Sequence, residues 1–386
     1  MLKYKYELIN IFLVIYKNMT NLIVGCGISG ITLANLLATK FNEKVLIIDK
    51  RNHIGGNCYD YIEENIHVHK YGSHIFHANN KKVWDYLSQF TKWYPYQHKV
   101  LGFVDGQEIP IPFNLNSIQK IFPKEISKKI INKLIHQYGF GNNITINQLK
   151  DINDEDLNFL YNYVYEKIFK NYTEKQWEKP IEELSKNISD RVPIRINYDD
   201  RYFTDKYQGI PLEGYTKMFE NMLNNDLIDI KLNTDFKNFC QMNNLNEFTR
   251  IFYSGPIDEF YNYSLGELEY RSLKFDFQTI DKKYFQNNSI INYPNNYDWT
   301  RIIEFKYFLN EDSNKSIIMY EYPEKYNTKN EAYYPVLDEK NMNLYNKYDK
   351  INLDKKIYFI GRLGKFKYFN MDQAIEDVFK LIKNIN

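Results

Sequence analysis

Apolar and polar positions in the first part of the chain predict a strand, a turn, a helix and a second strand. Residues 22–24 are apolar, residues 25–30 are rich in glycine, residues 31–41 are amphipathic at helical spacing, and residues 45–48 are apolar and are followed by Asp49. This order is typical of a dinucleotide-binding βαβ unit. A later apolar run at residues 356–361, with a helical pattern after it, predicts a further buried strand.

The rest of the chain follows two other patterns. Residues 97–113 predict a hairpin, because two strand-like runs flank the turn-forming pair Asp105 and Gly106. Residues 114–187 have apolar positions at mixed three- and four-residue spacing, which predicts helices. Residues 191–204 and 269–322 alternate as the strands of a sheet do. The sequence therefore predicts an α/β chain with a helical part and a second sheet.

The glycine turn has the composition that a pyrophosphate site requires. Gly25 permits the tight turn, Gly27 lets the backbone approach the pyrophosphate, and Gly30 allows close packing of helix against strand. Asp49, at the end of the second strand, is placed to accept a hydrogen bond from a ribose hydroxyl. The alternative is a glycine turn that packs without a ligand.

A second glycine turn follows the acidic residue and bears on the choice of dinucleotide. Residues 50–57 lead through Gly55 and Gly56 to Asn57. A simple nicotinamide-binding unit does not need this turn, whereas a protein that buries FAD along its sheet passes a second turn close to the cofactor. The pattern therefore favours FAD over NAD.

Composition and charge exclude several other classes of protein. The 50 basic and 49 acidic residues give a net charge of +1, which leaves no basic excess for a nucleic-acid backbone. The 44% hydrophobic and 26% charged content is that of a globular chain. Three cysteines do not make a disulfide framework, so a reducing, cytoplasmic location is expected. The 35 tyrosines and 26 phenylalanines indicate a compositional bias, so an aromatic residue needs motif support before it is assigned a role.

The first 18 residues are interpreted as an N-terminal extension or the product of an upstream start codon. Their apolar run at residues 8–16 is much shorter than the ~20 residues that a membrane span needs. No small-residue cleavage site follows, so a secretory signal is not predicted. A surface anchor is the alternative, and no membrane span is expected.

Residues 19–386 resemble the bacterial-type UDP-galactopyranose mutase family nearly end to end. The resemblance is carried by eleven blocks in the family's order: KRNHIGGNCYD (50–60), HKYGSHIFHANN (69–80), YTEKQW (172–177), RVPIR (191–195), YFTDKYQGIP (202–211), EGYTKM (213–218), YSGPID (253–258), LEYRSLKF (268–275), WTRIIEFKYF (299–308), EAYYPV (331–336) and GRLGKFKYFNMDQAI (361–375).

The resemblance implies a fold of three parts. The expected parts are a discontinuous Rossmann-like FAD-binding domain (19–90, 210–255 and 337–386), a helical domain with a mobile substrate arm (114–186), and an antiparallel β-sheet domain (91–113, 187–209 and 256–336).

The resemblance also implies a reaction and its partners. Members of the family convert UDP-galactopyranose to UDP-galactofuranose without net redox change. N5 of reduced FAD attacks the anomeric carbon to give a flavin–sugar adduct. The implied partners are the substrate UDP-galactose, NAD(P)H as the reductant of the flavin, and a second copy of the chain in a homodimer.

The residues that the resemblance places at the catalytic and substrate-binding positions are mostly cationic or aromatic. Arg191 and Arg301 match the arginines that hold the diphosphate, for which a planar, permanently charged guanidinium is suited. His74 is implied to lie against the flavin. The remaining implied substrate residues are His98, Phe169, Tyr172, Thr173, Trp177, Tyr202, Asn292, Tyr334 and Tyr368. His74 and His77 stand at i, i+3, but no third ligand accompanies them, so no metal site is predicted.

The implied cofactor residues follow the glycine turns and the C-terminal block. They are Gly25, Gly27, Ser29, Gly30, Asp49, Lys50, Gly56, Asn57, His74, Ile75, Asp235, Phe236, Arg362, Phe369, Asn370, Met371, Asp372, Gln373 and Ala374. Three positions depart from the family pattern. Asp49 replaces a common glutamate, Asn370 replaces a common aspartate, and Ile168 replaces an aromatic residue. Asn370 has no carboxylate, so the sequence puts an acidic role at this position in doubt.

Two other classes of protein remain as alternatives. A flavin amine- or sterol-type oxidase would share the FAD fold but lack the paired arginines. A catalytically silent nucleotide-sugar binder would be expected to lose Arg191, Arg301 or Trp177, and all three are present.

Overall fold

The computed structural model describes residues 20–150, 152–181, 192–327, 329–352 and 354–385. Its strands are β1 (Thr20–Val24), β2 (Lys44–Ile48), β3 (Asp60–Glu63), β4 (Ile66–His69), β5 (Phe76–Ala78), β6 (Trp93–Tyr94), β7 (Val100–Val104), β8 (Gln107–Ile111), β9 (Asn143–Ile144), β10 (Ile194–Arg195), β11 (Tyr207–Pro211), β12 (Ile228–Lys231), β13 (Phe248–Tyr253), β14 (Tyr270–Ile280), β15 (Ile290–Asn292), β16 (Arg301–Glu304), β17 (Ser316–Lys325), β18 (Tyr334–Pro335) and β19 (Ile357–Phe359).

Its helices fall before, between and after these strands. They are α1 (Ile28–Phe41), α2 (Lys81–Leu87), α3 (Leu115–Ile121), α4 (Lys124–Tyr138), α5 (Glu155–Val164), α6 (Asn171–Trp177), α7 (Gly214–Leu223), α8 (Phe236–Met242), α9 (Ile257–Phe260), α10 (Glu339–Ile351), α11 (Gly361–Gly364) and α12 (Met371–Asn384). A π-helical turn, Tyr165–Lys170, joins α5 to α6.

A parallel five-stranded sheet with the order β12-β2-β1-β13-β19 forms the first layer. Its strands come from three separate stretches of the chain. Leu22, Ile23, Ile47 and Ile48 are fully buried, as expected for parallel strands covered on both faces. Helix α1 packs against α7 and α12 beside this sheet. The predicted α/β fold with a discontinuous Rossmann-like unit is confirmed.

A seven-stranded sheet with the order β18-β14-β17-β16-β15-β7-β8 forms a second layer. All its strand pairs are antiparallel except β15 with β7, which is parallel. The predicted hairpin is present as β7 and β8. Its turn residues Asp105 and Gly106 have φ values of 49° and 81°, the left-handed conformation that a two-residue hairpin turn requires.

The helical prediction for residues 114–187 is confirmed over its described part by α3 to α6. The sheet prediction for residues 191–204 is wrong over most of its described length. Strand β10 has only two residues, and it pairs with β9 of the helical part. Just after it, the Asn197 and Asp199 side chains accept hydrogen bonds from the backbone N–H two residues on, which competes with a strand ladder.

Two other expectations concern the chain termini and the membrane. The predicted extension, residues 1–18, lies outside the described residues. Within the described part of the chain, none of the helices combines the length and apolarity needed to cross a bilayer. The exact domain boundaries stay a prediction.

Candidate active site

Two glycine turns meet at the carboxyl end of the parallel sheet. Helix α1 begins after Gly27, and no side chain caps its first turn, so its free N–H groups remain available to an anion. A Cβ on Gly30 would lie 2.1 Å from the Gly25 carbonyl oxygen, and one on Gly56 would lie 2.8 Å from Gly27 Cα. The two backbones therefore approach as closely as glycine allows, and any side chain here would fill the cradle.

Asp49 fixes the geometry of this cradle. Its Oδ2 accepts a 2.7 Å hydrogen bond from the Cys26 N–H, and its Oδ1 accepts one of 2.8 Å from the Arg51 N–H. The side chain is largely buried at the end of β2. A carboxylate has about four acceptor sites, so Asp49 retains capacity for the hydroxyls of a ribose.

A cleft extends from these turns between the two sheets. It is lined by most of the predicted cofactor residues: Gly25, Gly27, Ser29, Gly30, Asp49, Lys50, Gly56, Asn57, His74, Asp235, Phe236, Arg362, Phe369, Asn370, Met371 and Ala374. Ile75, Asp372 and Gln373 do not line it. Ile75 is buried in the core, and the Gln373 side chain instead accepts a 2.9 Å hydrogen bond from the Asn370 N–H at the start of α12.

Asp372 does not line the cleft. Burial raises the pKa of its carboxyl group, which lies near His77, Glu376 and Asp205. Met371 and Ala374 are three residues apart on α12 and share the helix face that lines the cleft, whereas Asp372 and Gln373 lie off that face.

The cleft fits a dinucleotide. It combines a carboxylate for a ribose, open helix N–H groups and glycine backbone for a pyrophosphate, and the Arg362 guanidinium. A nucleotide with one pyrophosphate and a flat ring system satisfies all of these groups, and FAD is such a nucleotide.

His74 lies in this cleft as a neutral imidazole. Burial, with His69 beside it, lowers the pKa of His74 to about 3, and burial lowers that of His69 to about 3 as well. His74 Nδ1 lies 2.9 Å from the Gly72 carbonyl oxygen, so in a neutral ring Nδ1 carries the proton. Nε2 of His74 is then a hydrogen-bond acceptor.

Arg301 forms the centre of a polar row across the second sheet. The strand register places Asn292 opposite Arg301 and Arg301 opposite Glu321, so their side chains share one face about 5 Å apart. Arg301 Nη2 donates a 2.5 Å hydrogen bond to the Tyr172 hydroxyl of α6. Arg301 Nε lies 3.2 Å from Glu321 Oε1.

The electrostatics of this row keep Arg301 charged. Burial disfavours the charge, but Glu321 and neighbouring phenols outweigh burial and hold the pKa of Arg301 above its ordinary value. Burial also raises the pKa of Tyr172 to about 12, so its hydroxyl stays protonated.

The polar row also contains an unpaired hydrogen-bonding group. Among the described residues, Asn292 Oδ1 is buried and has no hydrogen-bond partner, whereas Arg301 Nε faces Glu321 Oε1 at 3.2 Å. Because buried polar atoms are nearly always paired in native proteins, Asn292 Oδ1 indicates a place for a polar ligand beside Arg301.

Tyr334 and Tyr368 connect this row to the cofactor cleft. Their rings stack with centroids 5.3 Å apart, and the Arg362 guanidinium lies 5.0 Å and 4.9 Å from the two centroids. Arg362 also donates a 2.7 Å hydrogen bond to the Phe369 carbonyl oxygen. The predicted substrate tyrosines and the predicted cofactor arginine are therefore one cluster.

His98 and Tyr202 also lie close to Arg301. Their rings meet edge to face at 5.6 Å. Burial lowers the pKa of His98 to about 3, and the nearby charge of Arg301 adds to the effect. Arg301, Asn292, Tyr172, Tyr202, His98 and Tyr334 are thus brought together as predicted substrate residues.

The other predicted substrate residues are not all in this cluster. Phe169 packs into the apolar core with 7% of its surface exposed, so little of its ring is open to a nucleobase. Thr173 and Trp177 lie on α6 and are partly exposed. Arg191 lies outside the described residues.

Sequence reasoning missed two acidic residues of the site. Glu321, next to Arg301, is 4% exposed although it is charged. Its signal was a carboxylate within the apolar and aromatic run of residues 317–322. Glu331, which lines the cofactor cleft, stands two residues before the Tyr333–Tyr334 pair and had no signal beyond that position.

Comparison with known proteins agrees with this arrangement. A family model described as UDP-galactopyranose mutase matches residues 167–368, and one described as an NAD(P)-binding Rossmann-like domain matches residues 23–90. The chain is 38% identical to a probable UDP-galactopyranose mutase of Klebsiella pneumoniae, over 94% of each protein. The chain belongs to the UDP-galactopyranose mutase family. The Mycoplasma genitalium UDP-galactopyranose mutase is a further relative, 36% identical over 92% of this chain and 91% of its own.

One relative within the same range of similarity has another printed substrate. A dTDP-fucopyranose mutase of Escherichia coli is 36% identical, over 93% of this chain and 96% of its own. Membership in the UDP-galactopyranose mutase family therefore leaves the nucleotide and the sugar to be tested.

Solved structures share the fold at low sequence identity. A crystal structure of reduced UDP-galactopyranose mutase matches with a TM-score of 0.74 at 14% identity, over 95% of this chain and 93% of the other. A putative protoporphyrinogen oxidase from Exiguobacterium matches with a TM-score of 0.64 at 11% identity, over 95% and 98% of the two chains. The oxidase alternative thus shares the fold, whereas the relatives at 36–38% identity are mutases.

Proposed function

We propose that this protein is an FAD-dependent isomerase that converts UDP-galactopyranose to UDP-galactofuranose. The observation that carries the proposal is the junction of two sites. A dinucleotide cleft built on two glycine turns adjoins a row centred on the charged, partly exposed Arg301, with the unpaired Asn292 Oδ1 beside it. A reaction of a nucleotide sugar against a flavin needs these two sites side by side.

FAD would be held by the residues that line the cleft. The glycine backbone and the first turn of α1 suit its pyrophosphate, and Asp49 suits a ribose. When bound and reduced, FAD supplies the nucleophile N5 for the anomeric carbon of the sugar. His74, neutral and with Nε2 as an acceptor, would orient a hydrogen-bond donor at the flavin end.

Arg301 would bind the diphosphate of the substrate and stabilise it as the bond to the sugar breaks. Its charge is fixed by Glu321, so it needs no proton exchange during the reaction. The hydroxyls of Tyr334 and Tyr368 would donate to the same diphosphate, because burial raises the pKa of Tyr334 and keeps it protonated. Arg191 is proposed as the second cation on the family resemblance alone.

Several further features of the proposal rest on that resemblance. NAD(P)H is the proposed reductant, and a cytoplasmic homodimer is the proposed state of the enzyme. The helix that carries Tyr172, Thr173 and Trp177 is proposed to contact the sugar and the nucleoside.

The decisive experiment measures flavin binding and isomerisation in one preparation. We expect the purified protein to show a flavin absorption spectrum and, after dithionite reduction, to convert UDP-galactopyranose to UDP-galactofuranose as resolved by chromatography. The oxidised protein serves as the control and should be inactive. A colourless protein that does not take up FAD would overturn the proposal.

A second candidate substrate is dTDP-fucopyranose, which is favoured by the relative of that name. The same reduced preparation, given equal concentrations of the two nucleotide sugars, distinguishes the candidates by their kcat/KM values. A flavin-loaded protein that converts neither sugar would instead support the silent-binder alternative.

A further inference from the structure

Glu331 joins the two walls of the cofactor cleft. Its Oε2 lies 3.2 Å from Arg51 Nη2 and 3.3 Å from Lys50 Nζ. Lys50 and Arg51 follow β2 of the parallel sheet, whereas Glu331 stands shortly before β18 of the seven-stranded sheet. All three residues line the cleft, so the two ion pairs connect its opposite walls.

Arg51 is the rigid member of this contact. Its guanidinium lies 4.3 Å from the centroid of the Tyr71 ring, and its Nη2 donates a 3.0 Å hydrogen bond to Asn57 Oδ1. The Tyr71 hydroxyl is in turn 2.7 Å from His53 Nε2. Arg51 is therefore held in place, with its side chain only 14% exposed, before Glu331 contacts it.

Glu331 is more exposed than Arg51. Its side chain is 35% exposed, and its contacts are to cations of the opposite wall. Burial disfavours its charge, but Arg51 and Lys50 outweigh burial and lower the pKa of its carboxyl group. It is therefore ionised at neutral pH. A partly exposed ion pair is weak enough to break and re-form without unfolding.

Resting on the proposed binding of FAD, we propose that Glu331 is a clasp that controls the release of the cofactor. FAD leaves the cleft when the contacts of Glu331 with Arg51 and Lys50 open. Loss of the clasp therefore accelerates exchange of the cofactor. Because the contacts are ionic and partly exposed, salt has the same effect as the mutation.

Glu269 provides a matched control. It also lies between two lysines, with Oε2 2.7 Å from Lys179 Nζ and Oε1 3.2 Å from Lys340 Nζ, and its side chain is 39% exposed. It precedes β14 of the same sheet but does not line the cofactor cleft. Glu269→Gln thus removes a carboxylate with two ion pairs outside the cofactor cleft, where we expect no effect on cofactor exchange.

The test is an exchange experiment on the flavin-loaded protein. Protein loaded with radiolabelled FAD is mixed with excess unlabelled FAD, and the retained label is followed on rapid desalting columns at 50 mM and 500 mM NaCl. We expect Glu331→Gln to exchange about 3- to 10-fold faster than the wild type at low salt, and Glu269→Gln to match the wild type. High salt should accelerate the wild type and Glu269→Gln, and should have little effect on Glu331→Gln.

The experiment distinguishes failure of the Glu331 clasp from failure of FAD binding. A wild-type protein that retains no label contradicts FAD binding itself. Retained label with equal rates for Glu331→Gln and the wild type overturns the clasp. Slower exchange in the variant also overturns it, because the carboxylate would then act only by repelling the cofactor phosphates. If Glu331→Gln does not fold, salt-independent exchange in the wild type still overturns the proposal.

Discussion

At the scale of single residues, Arg301 is the central charged residue of the proposed substrate site. It is flanked in register by Asn292 and Glu321, and it donates to Tyr172. A guanidinium supplies several donors in a fixed plane, which a lysine cannot reproduce from one point charge. The contribution of Arg301 to turnover should therefore depend on its shape as well as its charge.

We expect Arg301→Ala to abolish turnover and Arg301→Lys to lower kcat by about 100-fold, because lysine keeps the charge but not the planar set of donors. Steady-state rates of the reduced enzyme, at matched flavin content, measure the effect. Arg250→Lys is the control, since Arg250 forms an ion pair with Glu43 at the amino-terminal end of the parallel strands, away from the glycine turns. Near-normal turnover of Arg301→Lys would contradict the assignment.

The close approach of Gly56 to Gly27 gives a second prediction at this scale. A Cβ at Gly56 meets Gly27 Cα, whereas a Cβ at Gly106 has no atom within 4 Å, and both residues have positive φ. We expect Gly56→Ala to lose most of its bound flavin. Gly106→Ala should lose only about 1 kcal/mol of folding stability from backbone strain. Absorbance measures the bound flavin, and thermal unfolding measures the loss of stability. Equal flavin content in the two variants would contradict the prediction.

The positions that could be predicted are those placed by local sequence. The glycine turn and Asp49 belong to one continuous βαβ unit, so their positions in the chain specify their positions in space. Glu321 escaped prediction because its partner is set by the pairing of β16 with β17. The burial of Phe169 and the position of Asp372 outside the cleft could not be predicted, because a helix turns neighbouring residues to different faces, and the binding roles of both residues stay predictions.

At the scale of elements, α6 is held against the seven-stranded sheet by polar contacts of the helix and of the residue that follows it. Lys175 Nζ donates to the Tyr293 carbonyl oxygen at 2.7 Å and to that of Trp299 at 3.3 Å. Arg271 Nη1 lies 2.7 Å from Glu178 Oε2 just beyond the helix. These contacts hold the helix that presents Tyr172 to Arg301.

We expect Lys175→Met to raise the KM for the nucleotide sugar about 10-fold, because two carbonyl groups lose their donor and α6 is displaced. Flavin content should not change, because Lys175 does not line the cofactor cleft. Lys170→Met is the control, since Lys170 has only a long contact with Glu166. A raised KM in both variants, or in neither, would argue against this role.

The elements themselves were largely predictable from periodicity. The strands and helix of the βαβ unit and the β7–β8 hairpin were predicted within a few residues of their ends. The segment around β10 was not, because alternation alone cannot reveal that Asn197 and Asp199 bond to their own backbone.

At the scale of the whole molecule, the two-stranded β3–β4 sheet that follows the second glycine turn is joined to the seven-stranded sheet by an ionic contact. His67 of β4 lies 2.6 Å from Glu311, which stands between β16 and β17. Burial lowers the pKa of His67, but the hydrogen bond with Glu311 outweighs it and raises the pKa overall. The stability from this pair is fully present below the unfolded pKa of about 6.5 and is lost as pH rises through the folded pKa.

His67→Gln should therefore destabilise the protein by about 1 kcal/mol at pH 5.5 and by less at pH 9. Thermal unfolding at the two pH values measures the difference. Asn132→Gln, at an exposed position of α4 without a titratable group, should shift the melting temperature equally at both. A larger effect of His67→Gln at pH 9 would contradict the proposed linkage.

The order of strands in the parallel sheet has a consequence for synthesis of the protein on the ribosome. Strand β13 lies between β1 and β19, and β19 begins at Ile357, more than three hundred residues after Thr20. Until that last strand emerges, β13 presents an unpaired edge to the cell. The parallel sheet is therefore complete only after β19 has been synthesised. A protein truncated before β19 would keep the exposed edge of β13 and would be prone to aggregate through it.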